Sequence, residues 1–120
     1  MSFSIHRIYD KTVPSGKRVL VDRLWPRGVK KSEAGLDEWL KDVAPSTELR
    51  RWYGHESGRF EEFARRYRIE LDRAPAIVAV RHLLDLSREG EVVLLTATRD
   101  IDHSGARVLL DHLISLTDRT

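Results

Sequence analysis

The sequence predicts an α/β fold: a small, mainly parallel β-sheet of about three to four strands with helices packed on it. Two observations predict it. Residues 18–24 and 91–97 hold the two strongest apolar, β-branched runs (Val19-Leu20-Val21 and Val92-Val93-Leu94-Leu95), the pattern of strands buried on both faces. Between them lies a long stretch of helical periodicity, and a helical crossover of that length joins parallel strands.

Each element follows in order. Residues 4–9 read as a short strand, and Pro14-Ser15-Gly16 as a turn. The strand at 18–24 stops at Trp25-Pro26-Arg27-Gly28, because Pro lacks a ladder donor and holds Trp25 extended. Residues 28–35 read as loop. Leu36, Trp39, Leu40 and Val43 stand at i, i+3, i+4 and i+7, which predicts one face of a short helix broken by Pro45. Ser46 suits the N-cap of a second short helix carrying Leu49, Trp52 and Tyr53, with Gly54 as its stop. A longer helix over 57–73 turns Phe60, Phe63, Ala64, Tyr67 and Leu71 inward. Pro75 opens the next helix, which ends near Gly90. The strand at 91–97 follows, then a last helix over 103–116 with Asp100 or Asp102 as its cap.

The chain has 120 residues, which suits a single domain over 1–120 with a core of its own. It has no cysteine, so disulfides, thiolate metal sites and cysteine nucleophiles are excluded. No metal-ligand spacing and no cofactor-binding motif occur; neither a metal nor a cofactor is expected. The absence of a signal-peptide pattern and of an apolar run of roughly 20 residues predicts a cytoplasmic protein without membrane contact. The formal net charge of +2 is uneven: residues 1–31 carry eight cations and two acids, the remainder 13 cations and 17 acids. A basic segment on a mildly acidic body points to an anionic partner.

In open parallel sheets, ligands bind beyond the carboxyl ends of the strands. Two segments occupy that position, residues 22–28 and 98–105. They offer Asp22, Arg23, Trp25, Arg27, Arg99, Asp100 and His103 to one cleft. Arg side chains and the N-terminus of the last helix would hold phosphate or carboxylate, and Trp25 or Trp52 would stack on a base or sugar. Asp100 and His103 are the acid/base candidates.

The strings Val21-Asp22-Arg23-Leu24-Trp25-Pro26-Arg27-Gly28, Leu49-Arg50-Arg51-Trp52-Tyr53-Gly54-His55 and Arg99-Asp100, with His103 beyond them, are similar to the YeaO-like branch of the family called domain of unknown function 488. The similarity spans nearly the whole chain. It implies a small α/β protein and singles out Arg23, Trp25, Arg27, Ser46, Arg50, Trp52, His55, Tyr67, Glu70, Arg99, Asp100 and His103. The chain departs from the pattern at residues 96–105, which lack the aromatic expected before Arg99-Asp100 and the Asn expected near His103.

These residues lead to an expected site for a small anionic, nucleotide-like or phosphorylated ligand. Ligand contacts fall to Asp22, Arg23, Trp25, Arg27, Arg50, Trp52 and Arg99, and hydrolase or glycosidase-type chemistry would fall to Asp100 and His103. Two alternatives stand beside it. One is nucleic-acid binding through the basic segment and Arg50-Arg51-Trp52-Tyr53. The other is a structural module whose arginines fasten the crossover to the sheet, with Arg23 pairing to Asp22.

Overall fold

Strand β4 (Val92–Thr96) is the centre of the molecule. A computed structural model describes residues 3–10 and 14–117 of the chain. In it β4 pairs in parallel with β1 (Phe3–Arg7) on one side and β2 (Lys17–Leu20) on the other. A two-residue strand β3 (Glu38–Trp39) adds in parallel to β2, so the order is β1-β4-β2-β3 and every pairing is parallel. Val92, Val93, Leu94 and Leu95 are at most 1% exposed. Burying an aliphatic side chain to that degree stabilises by about 1.5–3 kcal/mol each, so β4 anchors the sheet.

Four α-helices accompany it: α1 (Thr47–Tyr53), α2 (Phe60–Leu71), α3 (Ala76–Glu89) and α4 (Gly105–Thr117). The first begins as the sequence predicts. Ser46 Oγ accepts a hydrogen bond from Leu49 N–H, and Gly54 closes the helix in the left-handed region at φ 53°. Along α2, Phe63, Ala64, Tyr67 and Leu71 are buried, the face expected from their spacing. The Tyr67 hydroxyl donates to the Val43 carbonyl, and this buried phenol is pushed well above its ordinary pKa, chiefly by loss of water. Ser46 is held from α2 as well: its N–H and hydroxyl both donate to the Glu70 carboxylate.

Four elements differ from expectation: β2 ends at Leu20 rather than 24, α2 begins at Phe60 after a 3-10 turn at residues 57–59, and two more differ as follows. Residues 36–43 are not a helix. Gly35 turns the chain at φ 62°, Glu38 and Trp39 join the sheet opposite Val19 and Leu20, and only residues 41–43 coil, as a 3-10 turn. The Trp39 indole N–H donates to the Asp22 carbonyl at 2.7 Å, a tertiary bond that outweighs a weak local periodicity. At the other end, α4 starts at Gly105 rather than 103. Its cap is Ser104, whose Oγ accepts from Arg107 N–H, and residues 101–103 form a separate 3-10 turn. No helix among the described residues is long and apolar enough to cross a membrane.

The turn into β2 has one position that only glycine fills. Gly16 adopts φ 150°, and a Cβ there would lie 2.8 Å from the Glu91 carbonyl oxygen. That oxygen is already held by Lys17 N–H at 2.9 Å, so it has little room to retreat. Gly16→Ala is expected to cost about 1–3 kcal/mol in urea unfolding. An unchanged midpoint would show that the turn relaxes freely.

Candidate functional site

A cleft of about 750 Å³ opens at the carboxyl ends of β2 and β4. Its walls come from three places: residues 21–27 after β2, residues 44–55 around α1, and residues 96–106 between β4 and the start of α4. The volume falls in the range of small-molecule pockets, about 300 to 1,000 Å³.

Asp22 lies at the floor. Its Oδ1 accepts from the Thr96 hydroxyl at 2.7 Å and its Oδ2 from Ala97 N–H at 2.8 Å. It therefore ties the end of β2 to the end of β4. Desolvation pushes its pKa above the ordinary value of 3.8; the bonds from Ala97 and Thr96 and the positive charge of Arg50 oppose that shift without cancelling it.

Arg23 does not pair with Asp22. Its Nε donates to the Pro45 carbonyl at 3.2 Å and its Nη2 to the Ala44 carbonyl at 3.1 Å. It therefore fastens the strand end to the segment that enters α1. Trp25 lines the cleft, half-buried, with its indole N–H donating to Val29 O at 2.6 Å and its ring edge-on to Trp39 at 5.2 Å. Arg27 also lines the cleft. Its carbonyl accepts from the Tyr9 hydroxyl at 3.0 Å, which pins the loop, and its side chain is exposed.

Helix α1 supplies Arg50 and Arg51. Arg50 Nε is buried and has no hydrogen-bonding partner among the described residues. Beyond the end of α1, His55 stands at the rim with φ 60°, a conformation rare for residues other than glycine and one seen more often at functional positions. Across the cleft, His103 Nδ1 lies 2.8 Å from Asp100 Oδ2. In the tautomer that donates from Nδ1 to Asp100, Nε2 is the acceptor nitrogen.

The sequence-nominated residues thus separate. Asp22, Arg23, Trp25, Arg27, Arg50 and His103 share the cleft. Arg99, Trp52 and Asp100 do not line it. Arg99 is exposed where it leaves β4. Trp52 carries the guanidinium of Arg66 at 4.3 Å and that of Arg59 at 5.4 Å from its ring centroid, a cation–π cluster on the outside of α1 and α2. Asp100 reaches the cleft only through His103. Sequence reading missed Thr96 and Thr98, which sit beside Asp22 at the floor: Thr96 Oγ1 and Thr98 Oγ1 are 3.2 Å apart. Their position at a strand end was the available signal. Asp22 is the single carboxylate among the lining residues, against four arginines. Among the described residues no group of three His, Asp or Glu side chains is placed to hold a metal ion.

A family model described as "Inactive DUF488-N3 subclade" matches residues 2–120. The chain belongs to this DUF488 subclade. It is similar to an uncharacterized protein of Mycobacterium tuberculosis, 46% identical over 106 residues that cover 88% of this chain and 87% of the relative. It is also similar to the uncharacterized protein YeaO of Escherichia coli, 39% identical over 117 residues, or 97% of this chain and all of YeaO. No solved structure matches it significantly. The Asp22–Arg27 loop, the α1 arginines and His103 of this DUF488 chain therefore stand in a stretch shared at these identities along most of its length.

Proposed function

We propose that the cleft binds a small phosphorylated, nucleotide-like anion and that the protein works by holding this ligand. One observation carries the reading: arginine charge lines the cleft in excess of carboxylate, four arginines against Asp22 alone. Arg27 and Arg51 are exposed at its rim, Arg50 Nε is buried without a hydrogen-bond partner among the described residues, and Asp22 accepts one hydrogen bond at each oxygen, from Thr96 and Ala97. A phosphate would supply the missing acceptors, and Arg–phosphate bonds are strong because both partners are charged. The first turn of α4 adds backbone N–H groups and the positive end of its dipole. The description of the subclade as inactive favours binding over turnover. Single-strand nucleic-acid binding is less favoured, because arginines already occupy the Trp52 ring.

Thermal-shift and calorimetric titration with AMP and pyrophosphate test the proposal. The wild type is expected to be stabilised, and an Arg50→Gln/Arg51→Gln double variant to bind at least about tenfold more weakly at low salt. Absence of stabilisation by either compound, in a protein that melts cooperatively, would remove the reading.

A second reading rests on the 2.8 Å Asp100–His103 pair, whose Nε2 could act as an acid/base toward a bound ester. Release of phosphate from AMP that is lost in His103→Asn would favour it.

A further inference from the structure

The cleft is polarised in depth. Arg27 and Arg51 are exposed at the rim and Arg50 is half-buried, whereas the floor is made by Asp22 and Thr96, with Thr96 1% exposed. Asp22 is bonded once at each oxygen. A carboxylate offers about four acceptor sites, so unused lone pairs remain. A phosphate pressed against Asp22 would meet a like charge. A hydroxyl or amine there would instead find a charged acceptor.

We infer that Asp22 is a specificity residue that selects, among phosphorylated compounds, those carrying hydroxyl or amine donors on the organic part: nucleoside or sugar phosphates rather than bare phosphate chains. The inference rests on the anion-binding reading of the same cleft. The phosphate is held by Arg27, Arg50 and Arg51, and the donor-bearing body points to Asp22. Walls supplied by Trp25, Tyr53 and Phe63 give that body apolar contact. The raised pKa of Asp22 agrees with this, because a desolvated carboxylate gains from each donor a ligand brings.

Calorimetric titration of the wild type and Asp22→Asn with AMP, ribose 5-phosphate, phenyl phosphate and pyrophosphate tests the inference. Phenyl phosphate keeps the charge and an apolar body but has no donor on it. The wild type is expected to bind AMP and ribose 5-phosphate at least about tenfold more tightly than phenyl phosphate, the worth of one hydrogen bond to a charged acceptor. In Asp22→Asn the ratio is expected to fall to about threefold or less, with phenyl phosphate and pyrophosphate bound as well as before or better. Equal wild-type affinity for donor-bearing and donor-free phosphates overturns the inference while leaving the anion site standing. The same holds if the variant keeps the full ratio. No binding of any of the four overturns both. If the variant does not fold, the wild-type ratio alone decides.

Discussion

Arg23→Ala is expected to lower the free energy of unfolding by about 2–3 kcal/mol, whereas Arg27→Ala leaves it within about 0.5 kcal/mol. The two residues share one short motif and carry the same charge. Arg23 serves two backbone carbonyls, those of the buried residues Ala44 and Pro45, and its removal leaves both without a donor. The Arg27 side chain is exposed and makes no hydrogen bond or ion pair with the described residues; only its carbonyl is engaged, and any residue supplies that. Arg23→Lys recovers only part of the loss, because an ammonium lacks the fork that reaches two carbonyls at once. Urea unfolding monitored by circular dichroism separates the cases. A costly Arg27→Ala beside a harmless Arg23→Ala would reverse the assignment of structural and ligand-facing roles.

Asp22 gives the second large effect, and its sign depends on the replacement. Asp22→Ala strips the acceptor from Thr96 and from Ala97 N–H and is expected to cost about 2–4 kcal/mol. Asp22→Asn keeps an acceptor for Ala97 N–H and offers its amide to Thr96 Oγ1, so the β2–β4 tie survives. It also removes a charge that burial disfavours. Because the folded-state pKa lies above the unfolded value, the folded protein holds the Asp22 proton more tightly. Wild-type stability from this group is therefore greatest at low pH and is lost as pH rises from about 3.8 through the raised pKa. The amide introduced by Asp22→Asn does not titrate. The stability of Asp22→Asn relative to wild type should climb across that window and level off above it. A difference that is flat with pH, or that falls, would show that the bonds from Ala97 and Thr96 outweigh desolvation.

Much of the architecture was legible because it depends on local pattern. The buried strands announced themselves as apolar β-branched runs, and α1 and α2 by a capping serine and a repeated apolar face. What the pattern could not convey was decided by partners distant in sequence. Leu36, Trp39, Leu40 and Val43 fit a helical spacing over barely two turns, too few to resist the ladder offered by Val19 and Leu20. Among Asp100, Asp102 and Ser104, all good caps, only Ser104 meets the N–H of Arg107.

The candidate site was legible to a lesser degree. Strand-end position located the cleft and five of its residues, and the family resemblance added Arg50. It did not reveal which arginines are spent on the fold. Asp22 and Arg23 are adjacent in the chain yet bond elsewhere, Asp22 to Thr96 and Ala97 and Arg23 to the carbonyls of Ala44 and Pro45, partners distant in sequence. Trp52 and Arg99 are set by the rotation of α1 and by the turn after β4, which composition does not encode.

The position of β4 has a consequence for the birth of the molecule. The central strand is the last one synthesised, and more than half the chain separates Leu20 from Val92. Until β4 leaves the ribosome, β1 has no neighbour in the sheet and β2 has only the two residues of β3. An emerging chain thus carries Val19 and Leu20 without their β4 partners until the strand that closes the sheet is made. The cleft, whose floor joins β2 to β4, comes into being in that same late step.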